Sequence, residues 1–377
     1  MIDERTEANG RFFAAESERI AELSMRLAER FLAGGRLLAV GASPQDHSDA
    51  RHVAVEFVHP VIVGKRALPA LALRPDQLTR LAEPDDAVIA FGVRADAPCG
   101  CLTIGFEHDA ADWIFKPPTD DPFVRQELVE TLYHVLWETV HVFLDHLRSS
   151  ASGAGDSAFL YPFLESPPRD LDAVLADVAS SVLMKARETA ELRRRTIGDG
   201  AELAAAATAL RERLHAGGKL VAFGNGGSAT DAMDLVADLE SADRRAVDLT
   251  ADPSILTALA NDIGPEVLFQ RQIIAHGRER DIALAFTTSG GSPNILAALA
   301  EARRRGLVTI AIVGYDGGRI LAEQLADYVI VAPSEYVPRI QEAHATAYHQ
   351  LCAFVTPDSG EANTAGSEIA DARVAPP

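Results

Sequence analysis

Two distant stretches of this chain read almost alike, Ala33-Gly34-Gly35-Arg36-Leu37-Leu38-Ala39-Val40-Gly41 and Ala216-Gly217-Gly218-Lys219-Leu220-Val221-Ala222-Phe223-Gly224. The echo continues downstream. Asp86 to Phe91 matches Asp281 to Phe286, and Ala111-Asp112-Trp113-Ile114-Phe115 matches Ala326-Asp327-Tyr328-Val329-Ile330 at an offset of 215. The same offset carries Gln126-Glu127 onto Gln341-Glu342 and Tyr133-His134 onto Tyr348-His349. A chain that repeats one unit folds as two related halves, and each half here is a helical prefix followed by apolar strands alternating with helices. That pattern specifies a parallel sheet covered on both faces.

In the second copy the apolar run Leu220 to Phe223 enters Gly224-Asn225-Gly226-Gly227-Ser228, and a helical pattern follows from Ala229 to Leu239. A strand, a glycine turn and a helix start let the backbone approach an anion closely while free N–H groups and the helix dipole face it. A second turn, Thr287-Thr288-Ser289-Gly290-Gly291-Ser292, follows Ile282 to Phe286 and precedes the helical pattern Pro293 to Arg304. Two such cradles at the carboxyl ends of parallel strands suit one phosphate-bearing ligand. The candidate phosphate ligands are Asn225, Gly226, Gly227, Ser228, Thr287, Thr288, Ser289 and Ser292. In the first copy Ala42-Ser43-Pro44-Gln45-Asp46 replaces the glycine turn and Gly92-Val93-Arg94-Ala95-Asp96 the hydroxyl turn, so that half is expected to bind phosphate poorly. The helix equivalent to Pro293 to Arg304 is also missing there.

These motifs, with Ile255 to Asp262, Tyr315-Asp316-Gly317-Gly318 and Arg339-Ile340-Gln341-Glu342, fall in the order and spacing of phosphoheptose isomerases, and residues 170 to 355 resemble that branch of the sugar isomerase (SIS) domains. The resemblance implies two tandem SIS-type, doubly wound, flavodoxin-like three-layer α/β domains with helical prefixes. The expected divisions are 1–147, a degenerate SIS-like domain; 148–168, a Ser-, Gly-, Ala- and Pro-rich linker; 169–355, the SIS domain; and 356–377, a small, polar, aperiodic tail expected to be disordered.

The chemistry needs more than a phosphate cradle. His52 and Glu56 stand one helical turn apart, so their side chains share a face at roughly 6 Å and could grip one divalent metal; read alone, such a pair is more often a solvated ion pair. It falls where the second copy has Asp234 and Asp238. In the resembled family this helix carries a histidine and a glutamate that help bind zinc or move protons. Family members also use a glutamine and a histidine at the spacing seen in Gln126/His134 and Gln341/His349. Eight residues of helix rise about 12 Å, so one straight helix does not bring such a pair to one ion: either the helix begins after the glutamine, or ligands from two units meet. The metal candidates are therefore His52, Glu56, Gln126, His134, Gln341 and His349, and the catalytic candidates Glu56, His134, His349 and Asp238. His47, His59, His141, His146 and His344 read as structural or solvated.

The resemblance implies an aldose–ketose isomerase acting on a phosphorylated sugar such as sedoheptulose 7-phosphate, with zinc as the candidate cofactor and no nucleotide cofactor. The alternative is a non-catalytic sugar-phosphate regulator or assembly adaptor. A homo-oligomer, a dimer of tandem chains, is expected. The net charge of −20 argues against direct nucleic-acid or anionic-membrane binding. Without an apolar run long enough to span a bilayer or a signal peptide, a cytoplasmic location is expected. Three cysteines make no disulfide framework, and Cys99-Gly100-Cys101 reads as buried free thiol more readily than as a metal site.

Overall fold

The computed structural model describes residues 2–60, 65–95, 97–98, 100–106, 110–151 and 170–355. Most of the expected linker, all of the expected tail and Cys99 lie outside them. Each half forms one five-stranded parallel sheet. In the first, β1 (Leu37–Gly41), β2 (Ala70–Leu73), β3 (Ala87–Phe91), β4 (Leu102–Phe106) and β5 (Trp113–Phe115) lie in the order β2-β1-β3-β4-β5. In the second, β6 (Leu220–Phe223), β7 (Ala246–Asp248), β8 (Ile282–Thr287), β9 (Val308–Gly314) and β10 (Tyr328–Ala332) lie in the order β7-β6-β8-β9-β10. The two orders are the same, as the repeat in the sequence implies.

Alternation along the strands sorts side chains to two faces. Leu220, Ala222 and Leu284 pack with α6 (Ala201–His215), α7 (Gly227–Ser241) and α12 (Val337–Val355), while Val221, Phe223 and Ala283 pack with α9 (Leu268–His276) and α10 (Pro293–Arg304). The first sheet is covered less evenly. Leu37, Ala39, Ile89 and Phe91 join a large core with α1 (Ile2–Leu32), α2 (Pro44–Val58) and α4 (Pro122–Ala151), but Leu38, Val40, Val88 and Ala90 meet mainly the short α3 (Pro75–Leu81) and the β3–β4 connection. No helix lies between β3 and β4 among the described residues.

The halves interlock through their prefixes. Val174, Val178, Val182 and Ala186 of α5 (Leu171–Ile197) belong to the first-half core, against Phe12, Phe13 and Ile20 of α1. The chain also runs helically to Ala151, past the expected start of the linker, because the apolar face of α4 stays in register with α1 as far as Leu144 and Leu147. Across the centre, α2 packs on α7 and α4 on α12. Among the described residues no helix is long and apolar enough to cross a membrane.

Candidate active site

Both cradles of the second half stand at the carboxyl edge of neighbouring strands, β6 and β8, where the chain order reverses and α/β sheets bind ligands. Asn225 and Asn294 tie the two turns together by reciprocal amide bonds of 3.0 and 2.8 Å. Neither α7 nor α10 has a side-chain bond from its N-cap residue, although Asn294 Oδ1 accepts from the Ile295 N–H in the first turn of α10. Asn225, Gly226 and Ser289 are exposed, while Ser228 and Thr287 are buried beneath them and Thr288 and Ser292 are half-buried. The uncapped start of α7 is an open anion seat.

Directly behind this seat stand Gln341 of the same half and His52 of the other. A Cβ on Gly227 would overlap the Gln341 amide and lie 3.0 Å from His52 Nε2, so only glycine lets α7 begin this close to α2 and α12. His52 Nε2 is 3.3 Å from both Gln341 Nε2 and His134 Nε2, and 3.9 Å from Glu56 Oε1. Neither helix begins after its glutamine, and side chains from the two halves meet instead. Gln126 and His134 both lie inside α4, Gln341 and His349 both inside α12, and Gln341 meets His52 of α2, which in turn meets His134.

Each histidine has its far nitrogen engaged. His134 Nδ1 lies 3.1 Å from Glu342 Oε1, and His52 Nδ1 lies 3.0 Å from the Tyr133 hydroxyl, which in turn reaches Asp49 Oδ1 at 3.3 Å. Nδ1 donation in both rings would leave the two Nε2 atoms facing one another, with Gln341 Nε2 also directed at that of His52. His52, Glu56 and His134 place one ligand atom each within 4.8 Å of one another, and Glu56 Oε2 is buried without a hydrogen-bond partner among the described residues, so this nitrogen and oxygen donor set fits zinc. Burial, reinforced by His134, holds His52 well below its ordinary pKa and so neutral. Burial also raises Glu56, against the opposing pull of His134 and Gln341.

The remaining candidates gather at a second cluster. His349, Asp234 and Asp238 meet there, with His349 Nε2 3.6 Å and 3.7 Å from the two carboxylates and Nδ1 3.1 Å from Glu127 Oε1. Gln126 Nε2 reaches Asp49 Oδ1 at 3.1 Å on the same side. Glu127 thus does for His349 what Glu342 does for His134, each from the late helix of the opposite half. Burial opposes the charge on His349, but Asp234 and Glu127 outweigh it and lift the imidazole to about 9. Asp238 is raised to about 7 by burial and by Asp234.

Sequence reasoning missed Glu127, Glu342, Tyr133 and Asp49 as parts of these sites. The signal was present, since Gln-Glu and Tyr-His recur as pairs at the one offset. Of the other histidines, His141 is buried and held by the carbonyls of Trp137 and Arg66. Cys101 is buried with its thiol 3.1 Å from the Glu83 carbonyl.

Residues 187–314 match the family model described as "SIS domain". Phosphoheptose isomerase of Paramagnetospirillum magneticum is 49% identical over 147 residues, covering 37% of this chain and 76% of that protein. The chain belongs to the phosphoheptose isomerase family. A second member, from Solidesulfovibrio magneticus, is 42% identical over 175 residues, covering 45% of this chain and 84% of that one. Such relatives account for less than half of this chain, and the SIS match falls in its second half. The two-unit fold has its own counterpart. The C-terminal domain of glucosamine-fructose-6-phosphate aminotransferase from Francisella tularensis superposes over 94% of both chains with a TM-score of 0.60 at 9% identity, a likeness of fold alone.

Proposed function

We propose that this protein is an aldose–ketose isomerase of a phosphorylated heptose, with one composite site built from both halves. The observation that carries the reading is the packing of Gln341 and the phosphate cradle of the second half against His52, Glu56 and His134 of the first. The cradle, Asn225 to Ser228 and Thr287 to Ser292, would hold the phosphate and supply binding energy remote from the reacting carbons. Glu56 would then take the proton alpha to the carbonyl, a task suited to a buried carboxylate of raised pKa. His134, oriented by Glu342, would exchange a proton with the substrate oxygen. Where the cluster instead takes a metal, His52, Glu56, His134 and Gln341 would hold zinc, which would polarise the carbonyl and hydroxyl oxygens in place of proton transfer by His134.

The full chain, assayed with sedoheptulose 7-phosphate alongside metal analysis, tests this. Turnover with a metal content that falls in His52→Ala supports it. Heat stabilisation by the sugar phosphate without any turnover would favour a regulator instead. By the logic of tandem units, the chain is also proposed to self-associate into a dimer, which light scattering at micromolar concentration would reveal.

A further inference from the structure

His134 stands at the inner end of a chain of buried charges drawn from both halves. Glu342 of α12 places Oε1 3.1 Å from His134 Nδ1, and its other oxygen, Oε2, accepts from Arg339 Nη1 at 2.8 Å. Thr189 of α5 closes the same corner, its hydroxyl 2.8 Å from Arg339 Nη1 and 2.6 Å from Glu342 Oε2. The other arm of the Arg339 fork, Nη2, donates to Glu138 Oε1 of α4, and Glu138 Oε2 accepts from Lys185 of α5. Arg339, Glu342 and His134 are at most 2% exposed and Glu138 8%, so no water stands ready to replace these partners. The second cluster is built otherwise. The offset that carries His134 onto His349 carries Glu138 onto Ala353 and sets Val124 in the place of Arg339. Glu127, the counterpart of Glu342, is met instead by Arg5 Nε of α1 at 2.9 Å. A guanidinium bridging carboxylates of both halves thus serves the composite site and not its counterpart.

We propose that Arg339 and Glu138 are positioning residues of the isomerase, a latch between the halves that fixes the His134 ring through Glu342. The inference rests on the isomerase reading above. A guanidinium is planar and its two arms are rigidly related, so pinning Nη2 on Glu138 of the first half fixes where Nη1 meets Glu342 Oε2. With Oε2 so held, Oε1 keeps one direction, toward His134 Nδ1. The proton of the ring then belongs on Nδ1, and Nε2 is turned toward His52. His134 needs that orientation whether it moves a proton or holds a metal. The phosphate seat at the start of α7 shares no residue with the latch, so its loss falls on turnover and not on binding.

The test compares kcat and KM with sedoheptulose 7-phosphate in wild type, Arg339→Lys, Glu138→Gln and His134→Gln, and in Arg339→Lys and Glu138→Gln each combined with His134→Gln. Lysine keeps the charge but cannot span both carboxylates, so Arg339→Lys should lower kcat about tenfold or more with KM within about twofold of wild type, and Glu138→Gln should act in the same sense more mildly. In the His134→Gln background neither change should lower kcat further, because groups that act through one ring are not additive. A second readout needs no turnover. In metal-free protein carrying ¹⁵N-labelled histidine, the His134 signals, assigned by their loss in His134→Gln, should report one tautomer with the proton on Nδ1 in wild type, and a mixture in Arg339→Lys and Glu138→Gln. Should Arg339→Lys fail to fold, Glu138→Gln carries both measurements. A wild type without turnover removes the isomerase reading and leaves the tautomer to decide the latch. Losses in kcat that persist undiminished in the His134→Gln background, or a His134 tautomer unchanged in the folded variants, would overturn the proposal.

Discussion

At the scale of single residues, the central feature is a set of buried charges whose partners come from the opposite half. Glu127 is the clearest case. Burial alone would raise its pKa, yet the bond from His349 and the charges of Arg5 and Arg193 hold it at about 2, below its ordinary 4.5. A carboxylate held low contributes stability that is fully present above about 4.5 and is lost as the pH falls through the folded-state value, here a contribution of about 3 kcal/mol. Melting temperature should therefore drop steeply between pH 4.5 and 2, and Glu127→Gln should cost about 3–5 kcal/mol at neutral pH, because it leaves Arg5 buried without its partner. A Glu127→Gln protein as stable as wild type in urea would remove Glu127 from this role. Glu56 makes the contrasting prediction. Glu56→Gln fills the same space but accepts no proton, so kcat should fall by about a hundredfold or more while KM changes little; equal turnover would turn attention to another base. His52 and Glu56 were legible in the sequence from their spacing and family position. Glu127 and Glu342 were not, because a glutamate beside a glutamine on a long helix looks solvated until the opposite half is packed over it.

At the scale of elements, the two copies differ in how one helix begins. In α2 the Ser43 and Asp46 side chains close the first turn, a capping box that takes up the Asp46 N–H and the Ser43 N–H. In α7 glycine stands at the cap and no side chain intervenes, so the turn is left for a ligand. Ser228→Ala and Ser289→Ala should each weaken sugar-phosphate binding by about 1 kcal/mol or somewhat more, the worth of a hydroxyl donor to a charged acceptor. Isothermal titration showing undiminished affinity in both would refute the cradle. This difference was readable beforehand, since Gly-Asn-Gly-Gly-Ser and Ala-Ser-Pro-Gln-Asp demand different helix starts. What the letters did not disclose was that Asp46 would lie in the anion position. That outcome depends on its reach back to Ser43 and on the room left by Gly92, both tertiary facts.

At the scale of the whole molecule, the sequence repeat specified two like sheets but not how they embrace. Composition and periodicity marked residues near 170 as the start of a second unit, whereas α5 gives its apolar face to the first-half core. An isolated fragment of residues 169–355 would leave Val174, Val178, Val182 and Ala186 in water, an apolar stripe that favours aggregation or pairing between copies. It would also strip Glu342 and Arg193 of their cross-half partners, His134 and Glu127. The fragment retains both phosphate turns but none of His52, Glu56 or His134. It should therefore be inactive toward sedoheptulose 7-phosphate even where it folds, and light scattering should find it associated rather than monomeric. Adding the first half as a separate chain should restore part of the activity, since the α1–α5 and α2–α7 contacts do not depend on the connecting segment. Full activity from the fragment alone would mean that the second half carries its own catalytic groups, and that Asp234, Asp238 and His349, rather than the first-half histidines, turn the substrate over.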